Sequence, residues 1–243
     1  MSIDNSISQF YNDFSRKVLL RGFRDINARI EAIKALCDRF VAPGAAVLEV
    51  GCGVGILSKH LKHRASKLLS VDISDTNIKV ASAYAGGGGA DFRVMDVLSG
   101  EIDGTFDAVV LPDVIEHIPA ANHDVLLRKL EACLRPGGVM ILTFPSPEYQ
   151  HWLRTNKPEA LQIVDESVSP LQIMSKSSLM PIYLAYVSIF GRHDYVHLVL
   201  ARDIEFSPEL PEGGLMSRAM RRLRQLAWRL RHARFLRRIQ NVL

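Results

Sequence analysis

The sequence predicts an α/β protein built on a doubly wound sheet of seven strands, mostly parallel, with one antiparallel hairpin at its edge and helices on both faces. Three observations predict this fold. Short apolar runs alternate with helical patterns from about residue 45 to residue 144, a glycine-rich turn follows the first run, and two later apolar runs are joined by a four-residue turn. Such alternation is typical of strands joined by right-handed helical crossovers, which together form a Rossmann-like architecture.

The composition is that of a globular protein. Of 243 residues, 48% are hydrophobic and 23% are charged, which excludes disordered and collagen-like chains. No apolar run approaches the roughly 18 residues of a membrane span, and the N-terminus lacks the layout of a signal peptide. Three separated cysteines without a CxxC pair favour neither a disulfide framework nor a zinc site. We therefore expect a cytoplasmic protein.

The elements are predicted in chain order. Apolar residues at helical spacing indicate two helices within residues 1–40, interpreted as a lid or cap, and Pro43-Gly44 ends the second. Five strands are then predicted at Ala45–Val50, Lys67–Val71, Phe92–Met95, Phe106–Leu111 and Val139–Phe144. Helices are predicted between them at Ile56–His63, Thr76–Tyr84 and Asn122–Leu134, the last closed by a turn at Arg135-Pro136-Gly137-Gly138.

After the fifth strand the alternation stops. An insert at about 145–180 contains no clear strand, and inserts of this length are usually functional. Two strands, Pro181–Phe190 and Tyr195–Ala201, follow it and are predicted to pair as a hairpin. The main domain is therefore expected at residues 41–206.

Residues 207–243 are predicted to form a basic amphipathic tail. Gly213 to Leu243 contain nine arginines and no lysine, aspartate or glutamate. Because the whole chain carries +4, residues 1–212 carry a net charge of −5, so no nucleic-acid partner is expected. The tail is expected either to contact an anionic membrane or to dock on the acidic domain, and a homodimer stays open.

The sharpest motif is the run Val47-Leu48-Glu49-Val50-Gly51-Cys52-Gly53-Val54-Gly55, a strand that enters a glycine turn. Glycines on alternate residues let the backbone bend tightly and leave room for a ligand. A dinucleotide fingerprint would place its third glycine one residue later, where this chain has Ile56. Glu49, two residues before the first glycine, instead indicates a ligand that carries a positively charged group.

Glu49 to Gly55 resembles motif I of the class I S-adenosylmethionine-dependent methyltransferases, and the resemblance extends from about Ala45 to Ala201. Later motifs follow in family order around Asp72, Asp96, Asp113-Val114-Ile115-Glu116-His117 and Leu134-Arg135-Pro136-Gly137-Gly138. The resemblance implies S-adenosylmethionine as methyl donor and S-adenosylhomocysteine as product.

The resemblance also implies a set of donor-binding residues. Asp72 would accept hydrogen bonds from the ribose hydroxyls and Asp96 from the adenine amino group, the alternative for Asp96 being a helix cap. The full set expected at the donor is Glu49, Gly51, Cys52, Gly53, Gly55, Asp72, Ile73, Asp96, Val97 and Leu111.

Two residues after the fourth strand are the catalytic candidates. His117 is expected to act as general base, because an imidazole pKa of about 6.5 suits proton abstraction near neutral pH, with Asp113 beside it. Alternatively, His117 packs against the cofactor side of the sheet. Asp113, Glu116 and His117 also resemble a set proposed to bind a divalent ion in ubiquinone-biosynthesis O-methyltransferases. A magnesium ion is therefore a less favoured alternative, since it prefers oxygen ligands.

The insert carries the candidates for acceptor binding, Tyr149, His151 and Arg154. Polar and aromatic side chains together suit a small hydroxylated acceptor, although a solvated loop is an equal alternative. The expected function is O-methylation of a sugar or another specialised metabolite. Alternatives are an N- or C-methyltransferase, an O-methyltransferase of a lipid-linked or quinone acceptor, and a cofactor-binding protein without turnover.

Overall fold

The computed structural model describes residues 9–11 and 28–204. The chain divides after Ile204, and all described residues belong to the unit before that division. The predicted tail at residues 207–243 lies outside the described residues, as does most of the first predicted helix. Within the described part of the chain, no helix has the length and apolar character needed to cross a membrane.

The regular elements follow the predicted order. Six α-helices are described after residue 27: α1 (Ala28–Phe40), α2 (Ile56–Lys62), α3 (Asp75–Ala85), α4 (His123–Ala132), α5 (Pro147–Asn156) and α6 (Pro170–Lys176). Three short 3-10 helices lie at Ile115–His117, Ala120–Asn122 and Pro158–Ala160. The strands are β1 (Ala46–Val50), β2 (Lys67–Asp72), β3 (Ala90–Val94), β4 (Phe106–Pro112), β5 (Leu134–Pro145), β6 (Met180–Val187) and β7 (Tyr195–Ala201).

The seven described strands form one sheet in the order β3-β2-β1-β4-β5-β7-β6. Strands β1 to β5 pair in parallel, whereas β7 pairs antiparallel with both β5 and β6. The predicted fold class, including its antiparallel edge, is confirmed. Strand order reverses between β1 and β4, so a crevice is expected outside the carboxyl ends of these strands.

Helices cover the sheet on two faces because the strand residues alternate between two hydrophobic clusters. One face carries Leu48, Val109 and Leu142, which join a core that includes residues of α4 and α6. The other face carries Val47 and Val110, which join residues of α1 and α2. Strands buried on both faces are typical of parallel sheets with helices on either side.

Two regions differ most from the prediction. The turn predicted at residues 135–138 lies within the bounds of β5, where Gly137 has a φ of 75° and the pairing with β4 shifts in register. The insert holds two helices, α5 and α6. Each helix has a serine N-cap, Ser146 or Ser169, followed by a proline in its first turn. This pattern is typical of a helix start, but the polar composition of the insert suggested a loop.

Candidate functional site

The glycine turn after β1 has the backbone geometry that glycine favours. Gly51, Gly53 and Gly55 have φ of 74°, 53° and 85°, in the left-handed region. A Cβ at Gly55 would lie 2.9 Å from the Ala81 Cα, so this glycine lets α3 pack directly on the turn. A Cβ at Gly53 would meet nothing within 4 Å. The turn therefore offers bare main chain facing open space at Gly53.

Glu49 lies beneath this turn with no exposed surface. Its Oε2 accepts hydrogen bonds of 2.6 Å from the hydroxyls of both Ser58 and Ser70. Its Oε1 has no hydrogen-bond partner among the described residues. Burial raises the pKa of the Glu49 carboxyl to about 7, although the two serine hydrogen bonds act to lower it. An orphaned buried carboxylate oxygen beside the turn fits a ligand that presents an ammonium group.

Asp72 ends β2 and is held against the turn. Its Oδ2 accepts the Gly53 amide at 2.8 Å, and its Oδ1 accepts the Ser74 amide at 2.9 Å and the Asn77 side-chain amide at 3.1 Å. Burial raises the pKa of this carboxyl while the hydrogen bonds oppose the rise. Because a carboxylate has about four acceptor positions, Asp72 retains room for about one further hydrogen bond. The predicted contact of Asp72 with the ribose hydroxyls stays a prediction.

Asp96 follows β3 and organises its own turn. Its Oδ1 accepts the Leu98 amide at 2.9 Å, and its Oδ2 accepts the Ser99 hydroxyl at 2.8 Å. These bonds close a turn, and no helix begins at Asp96, so the helix cap that the sequence left as the alternative is not observed. Two other residues of the expected donor set, Cys52 and Val97, are each only 7% exposed, and Ile73 is partly exposed. Leu111 has no exposed surface, so it occupies a packing position in the core.

Asp113 lies at the carboxyl end of β4 with a φ of 55°, a backbone conformation that is uncommon outside glycine and often marks a functional site. Its Oδ2 forms a 2.7 Å ion pair with Arg29 of α1, and its Oδ1 accepts the Thr143 hydroxyl at 3.1 Å. Arg29 also donates to the Tyr195 hydroxyl at 3.3 Å. Residues of α1 and β5 therefore bond to this carboxylate at the end of β4, and Arg29 links it to Tyr195 of β7.

Arg29 and Tyr195 were not predicted from the sequence. Both lie far from any motif along the chain, and neither a helix arginine nor a strand tyrosine carries a distinguishing local pattern. The Asp113 carboxylate raises the pKa of Arg29, while burial and the same carboxylate raise the pKa of Tyr195. At neutral pH, Arg29 is therefore a cation and Tyr195 is a neutral phenol.

His117 ends the short helical turn Ile115–His117. Its Nδ1 lies 2.8 Å from the Val164 carbonyl oxygen, an arrangement that fixes Nδ1 as the donor. Its Nε2 is then left as the acceptor in the neutral ring. The Tyr11 ring packs edge-on against the imidazole, with 6.3 Å between ring centroids. Burial and the carboxylates of Glu116, Asp72 and Asp165 raise the pKa of Tyr11.

The predicted acceptor residues are distributed along α5. The Tyr149 ring stacks on that of Trp152, with 6.2 Å between ring centroids. It also lies 6.4 Å from the Tyr195 ring, in a tilted arrangement. Tyr149 therefore lies between the exposed Trp152 and the residue that contacts Arg29. Arg154 donates to the Asp165 carbonyl oxygen, whereas His151 is exposed. Tyr149 thus lies near Tyr195, the partner of Arg29, while Arg154 contacts another part of the insert.

Gln150 is a further residue that the sequence did not single out. It is 1% exposed, and its side-chain amide donates to the Asp165 carboxylate. Asp165 also accepts the Gln162 amide at 3.0 Å. These bonds tie α5 to the segment that carries Val164, the partner of His117.

The described residues do not form the magnesium site that the sequence left as an alternative. Among residues 9–11 and 28–204, no group of three or more His, Cys, Asp and Glu side chains is placed to hold a metal ion. The two oxygens of Asp113 bond to Arg29 and Thr143, and His117 bonds to a backbone carbonyl. The described geometry therefore does not join Asp113, Glu116 and His117 as ligands of one ion.

Comparison with known proteins agrees with this architecture. Residues 48–142 match the model of a methyltransferase domain family. The ubiquinone biosynthesis O-methyltransferase of Xanthomonas axonopodis pv. citri (strain 306) is 34% identical over 119 residues, 47% of this chain and 48% of that protein. A relative of the same name from Xanthomonas oryzae pv. oryzae (strain PXO99A) is 32% identical over 119 residues, again 47% of this chain and 48% of that protein. The chain thus spans about half the length of the curated relatives it matches.

Solved structures show the same fold at low sequence identity. Magnesium protoporphyrin IX methyltransferase from Synechocystis PCC 6803, with bound S-adenosylhomocysteine, aligns with a TM-score of 0.64 at 18% identity, over 81% of this chain and 98% of that one. The N-methyltransferase NodS from Bradyrhizobium japonicum WM9, with the same ligand, aligns with a TM-score of 0.63 at 15% identity, over 84% and 97%. Residues 48–142 thus carry a methyltransferase domain, set in a seven-stranded sheet with the fold of S-adenosylmethionine-dependent methyltransferases.

Proposed function

We propose that the chain binds S-adenosylmethionine at the glycine turn and transfers its methyl group to an oxygen atom of a small hydroxylated molecule. The donor, when bound, supplies a methyl group already activated on a sulfonium. The residues fit this ligand. Glu49 Oε1 is an orphaned acceptor for an ammonium, the space over Gly53 is open, and Asp72 has capacity for a ribose hydroxyl.

The orientation of His117 is the observation that carries the proposal of an oxygen acceptor. A hydroxyl must lose its proton during methylation, and a base must present a free lone pair to take it. The 2.8 Å contact between His117 Nδ1 and the Val164 carbonyl fixes the tautomer that leaves Nε2 as an acceptor. His117 would therefore take the acceptor's proton at Nε2 and hold it as an imidazolium.

Asp113 has a positioning role in this proposal. Its two oxygens already bond to Arg29 and Thr143, so they are committed within the protein. The Asp113 carboxylate lies close enough for its charge to interact with that of a protonated His117. We assign to Asp113 the stabilisation of the imidazolium and to Arg29 the anchoring of α1 over the site.

The aromatic side chains and the relatives support a proposal for the acceptor class. Tyr149, Trp152 and Tyr195 form a series of packed rings that ends at the Arg29 ion pair, a surface that suits a flat ring. The curated relatives are named for ubiquinone biosynthesis. These observations favour a phenolic acceptor of the quinone-precursor type. A sugar or another specialised metabolite is the second candidate, since sugars also pack on aromatic rings.

Replacing His117 with asparagine tests the proposal. Formation of S-adenosylhomocysteine by the full chain would be measured first with a panel of phenols, catechols and sugars. For the acceptor that is turned over, His117→Asn should lower turnover by about 100- to 10,000-fold, the usual contribution of a general base, without changing affinity for S-adenosylhomocysteine. His193→Asn is the matched control, because His193 is exposed and its φ of 58° suits asparagine.

Two results would contradict the proposal. Full turnover by His117→Asn would mean that positioning alone accounts for the reaction. Donor binding with no turnover of any acceptor in the panel would favour a cofactor-binding protein without catalysis.

A further inference from the structure

An irregular segment of the insert, residues 162–166, contacts the short helical turn that ends at His117. The Glu166 amide donates to the Glu116 carbonyl at 2.7 Å, and the Val164 carbonyl oxygen lies 2.8 Å from His117 Nδ1. The segment belongs to no helix or strand, so no hydrogen-bond ladder of its own holds the Val164 carbonyl in place. The position of that carbonyl must therefore depend on other contacts of the segment.

Asp165 makes those contacts from within the segment. Its carboxylate accepts the side-chain amide of Gln150 from α5, and its Oδ2 also accepts the Gln162 amide at 3.0 Å. Arg154, one turn further along α5, donates to the Asp165 carbonyl oxygen. The segment is therefore bonded on one side to α5 and on the other side to the turn of His117.

Gln150 is the buried member of this link. It is 1% exposed, whereas Arg154 is exposed and Asp165 is partly exposed. A carboxylate can only accept, so the amide nitrogen of Gln150 must face it. A hydrogen bond to a charged acceptor is stronger than a neutral one, and water competes little for a buried donor. Gln150 therefore makes the stronger of the two bonds that join α5 to the segment.

The carbonyl held in this way determines where His117 carries its proton. A neutral imidazole is protonated on one of its two nitrogens, and the hydrogen bond made by one nitrogen decides which. The Val164 carbonyl can only accept, so it keeps the proton on Nδ1 and leaves a lone pair on Nε2. Without this carbonyl the ring returns to the Nε2–H tautomer, which free histidine favours in water. In that tautomer Nε2 has no lone pair and cannot take a proton.

We infer that Gln150 is a positioning residue for His117. Through Asp165 it holds the Val164 carbonyl in place, and that carbonyl selects the tautomer in which Nε2 can accept a proton. This inference rests on the proposed role of His117 as general base. Tyr149 and Gln150 are consecutive residues of α5, so the helix proposed to contact the acceptor also orients the base.

Nitrogen NMR of the labelled full chain tests this inference without an acceptor. Long-range proton–nitrogen correlation spectra at about pH 8.5, where imidazoles are neutral, distinguish the two tautomers. The His117 signals are those that disappear in His117→Asn. Gln150→Met keeps the length of the side chain but cannot donate a hydrogen bond. We expect His117 to be mainly Nδ1–H in the wild-type protein and mainly Nε2–H in Gln150→Met.

Turnover with the acceptor from the panel is the second readout. Only molecules with a lone pair on Nε2 can react, so if about one tenth retain it, Gln150→Met lowers kcat about tenfold. Affinity for S-adenosylhomocysteine should not change, because the substitution alters none of the contacts proposed at Glu49 and Asp72. Gln172→Met is the matched control, since Gln172 accepts the Ser169 amide at 3.3 Å at the start of α6. It should lower stability but leave the tautomer and kcat unchanged.

The outcomes separate this inference from the proposed function. An unchanged tautomer in a folded Gln150→Met variant, or a wild-type His117 protonated on Nε2, would overturn the inference. If Gln150→Met does not fold, Asp165→Ala removes the same link at a partly exposed position. It should give the same change of tautomer, and no change would again overturn the inference. A changed tautomer with full turnover would support the positioning role of Gln150 and contradict the proposed base.

Discussion

At the scale of single residues, the site depends on carboxylates that the fold buries and then partly satisfies. Glu49 illustrates this. The sequence places an acid before the glycine turn, but only the structure shows that Ser58 and Ser70 donate to one of its oxygens while the other stays unpaired. Those serines come from α2 and β2, and no spacing rule links them to Glu49. Sequence reasoning therefore identified the acid but not its surroundings.

Glu49 should make the stability of the ligand-free protein depend on pH. Its carboxyl pKa rises from an ordinary 4.5 to about 7 in the folded state, so the folded protein binds this proton more tightly than the unfolded chain does. The stability this provides is complete below about pH 4.5 and is lost as pH rises towards 7. Glu49→Gln keeps an acceptor for the serines and cannot ionise. We expect it to be more stable than wild type by about 2 to 4 kcal/mol at pH 8 and similar near pH 4.5.

Urea unfolding at the two pH values measures this difference. Other buried carboxyls are present in both proteins, so most of their contribution cancels from the comparison. Parallel pH profiles for the wild type and the variant would show that Glu49 is not the group responsible.

At the scale of elements, the connection between β6 and β7 shows how one side chain can set a turn. Asp194 is 3% exposed, and its carboxylate accepts the amides of Ile189, Phe190 and Gly191 at 2.6 to 2.9 Å. The sequence predicts a turn at residues 191–194, and the structure extends the connection to residues 188–194. The strand β7 that follows was predicted with its observed bounds, because a continuous apolar run defines it. The first residue of the turn was harder to predict, because a side chain, the Asp194 carboxylate, accepts the hydrogen bonds of its backbone amides.

Replacing Asp194 with alanine should destabilise the protein by about 2 to 4 kcal/mol, because three backbone amides lose a charged acceptor in a partly buried place. Arg192→Ala alters an exposed residue of the same turn and should change the free energy of unfolding by less than about 0.5 kcal/mol. Chemical denaturation of both variants makes the comparison. Equal effects would show that the hairpin does not need this carboxylate.

At the scale of the whole molecule, the sheet was predictable and the assembled site was only partly so. Alternating apolar runs and glycine turns predict seven strands, mostly parallel with an antiparallel edge hairpin, and the observed sheet agrees. The Arg29, Asp113 and Tyr195 contacts join parts of the chain up to 166 residues apart. Such contacts depend on tertiary packing, and a single sequence carries no signal for them. The motif residues of the donor side were foreseeable because they are consecutive or end a strand.

The basic segment at residues 207–243 is the part of the chain for which a membrane role is predicted from sequence alone. Removing residues 214–243 should leave a folded protein, since the sheet is complete by Ala201. The nine arginines exceed the net charge of −5 carried by residues 1–212, which leaves positive charge for an anionic surface. We expect the full chain, and not the truncated one, to sediment with anionic liposomes at low salt and to dissociate as salt screens the charges. Equal sedimentation of both proteins would contradict this membrane role.

The proposed function requires one donor site per chain, formed by the glycine turn and Asp72. Calorimetric titration of the full chain with S-adenosylhomocysteine measures this most directly, with Asp72→Ala as the comparison and thermal unfolding as the check on folding. We predict saturable binding with one site per chain, weakened in Asp72→Ala by about 1 to 3 kcal/mol, which is about a 5- to 150-fold change in Kd. Absence of binding by the folded wild-type protein, or equal affinity in a folded Asp72→Ala variant, would contradict the assignment of the site.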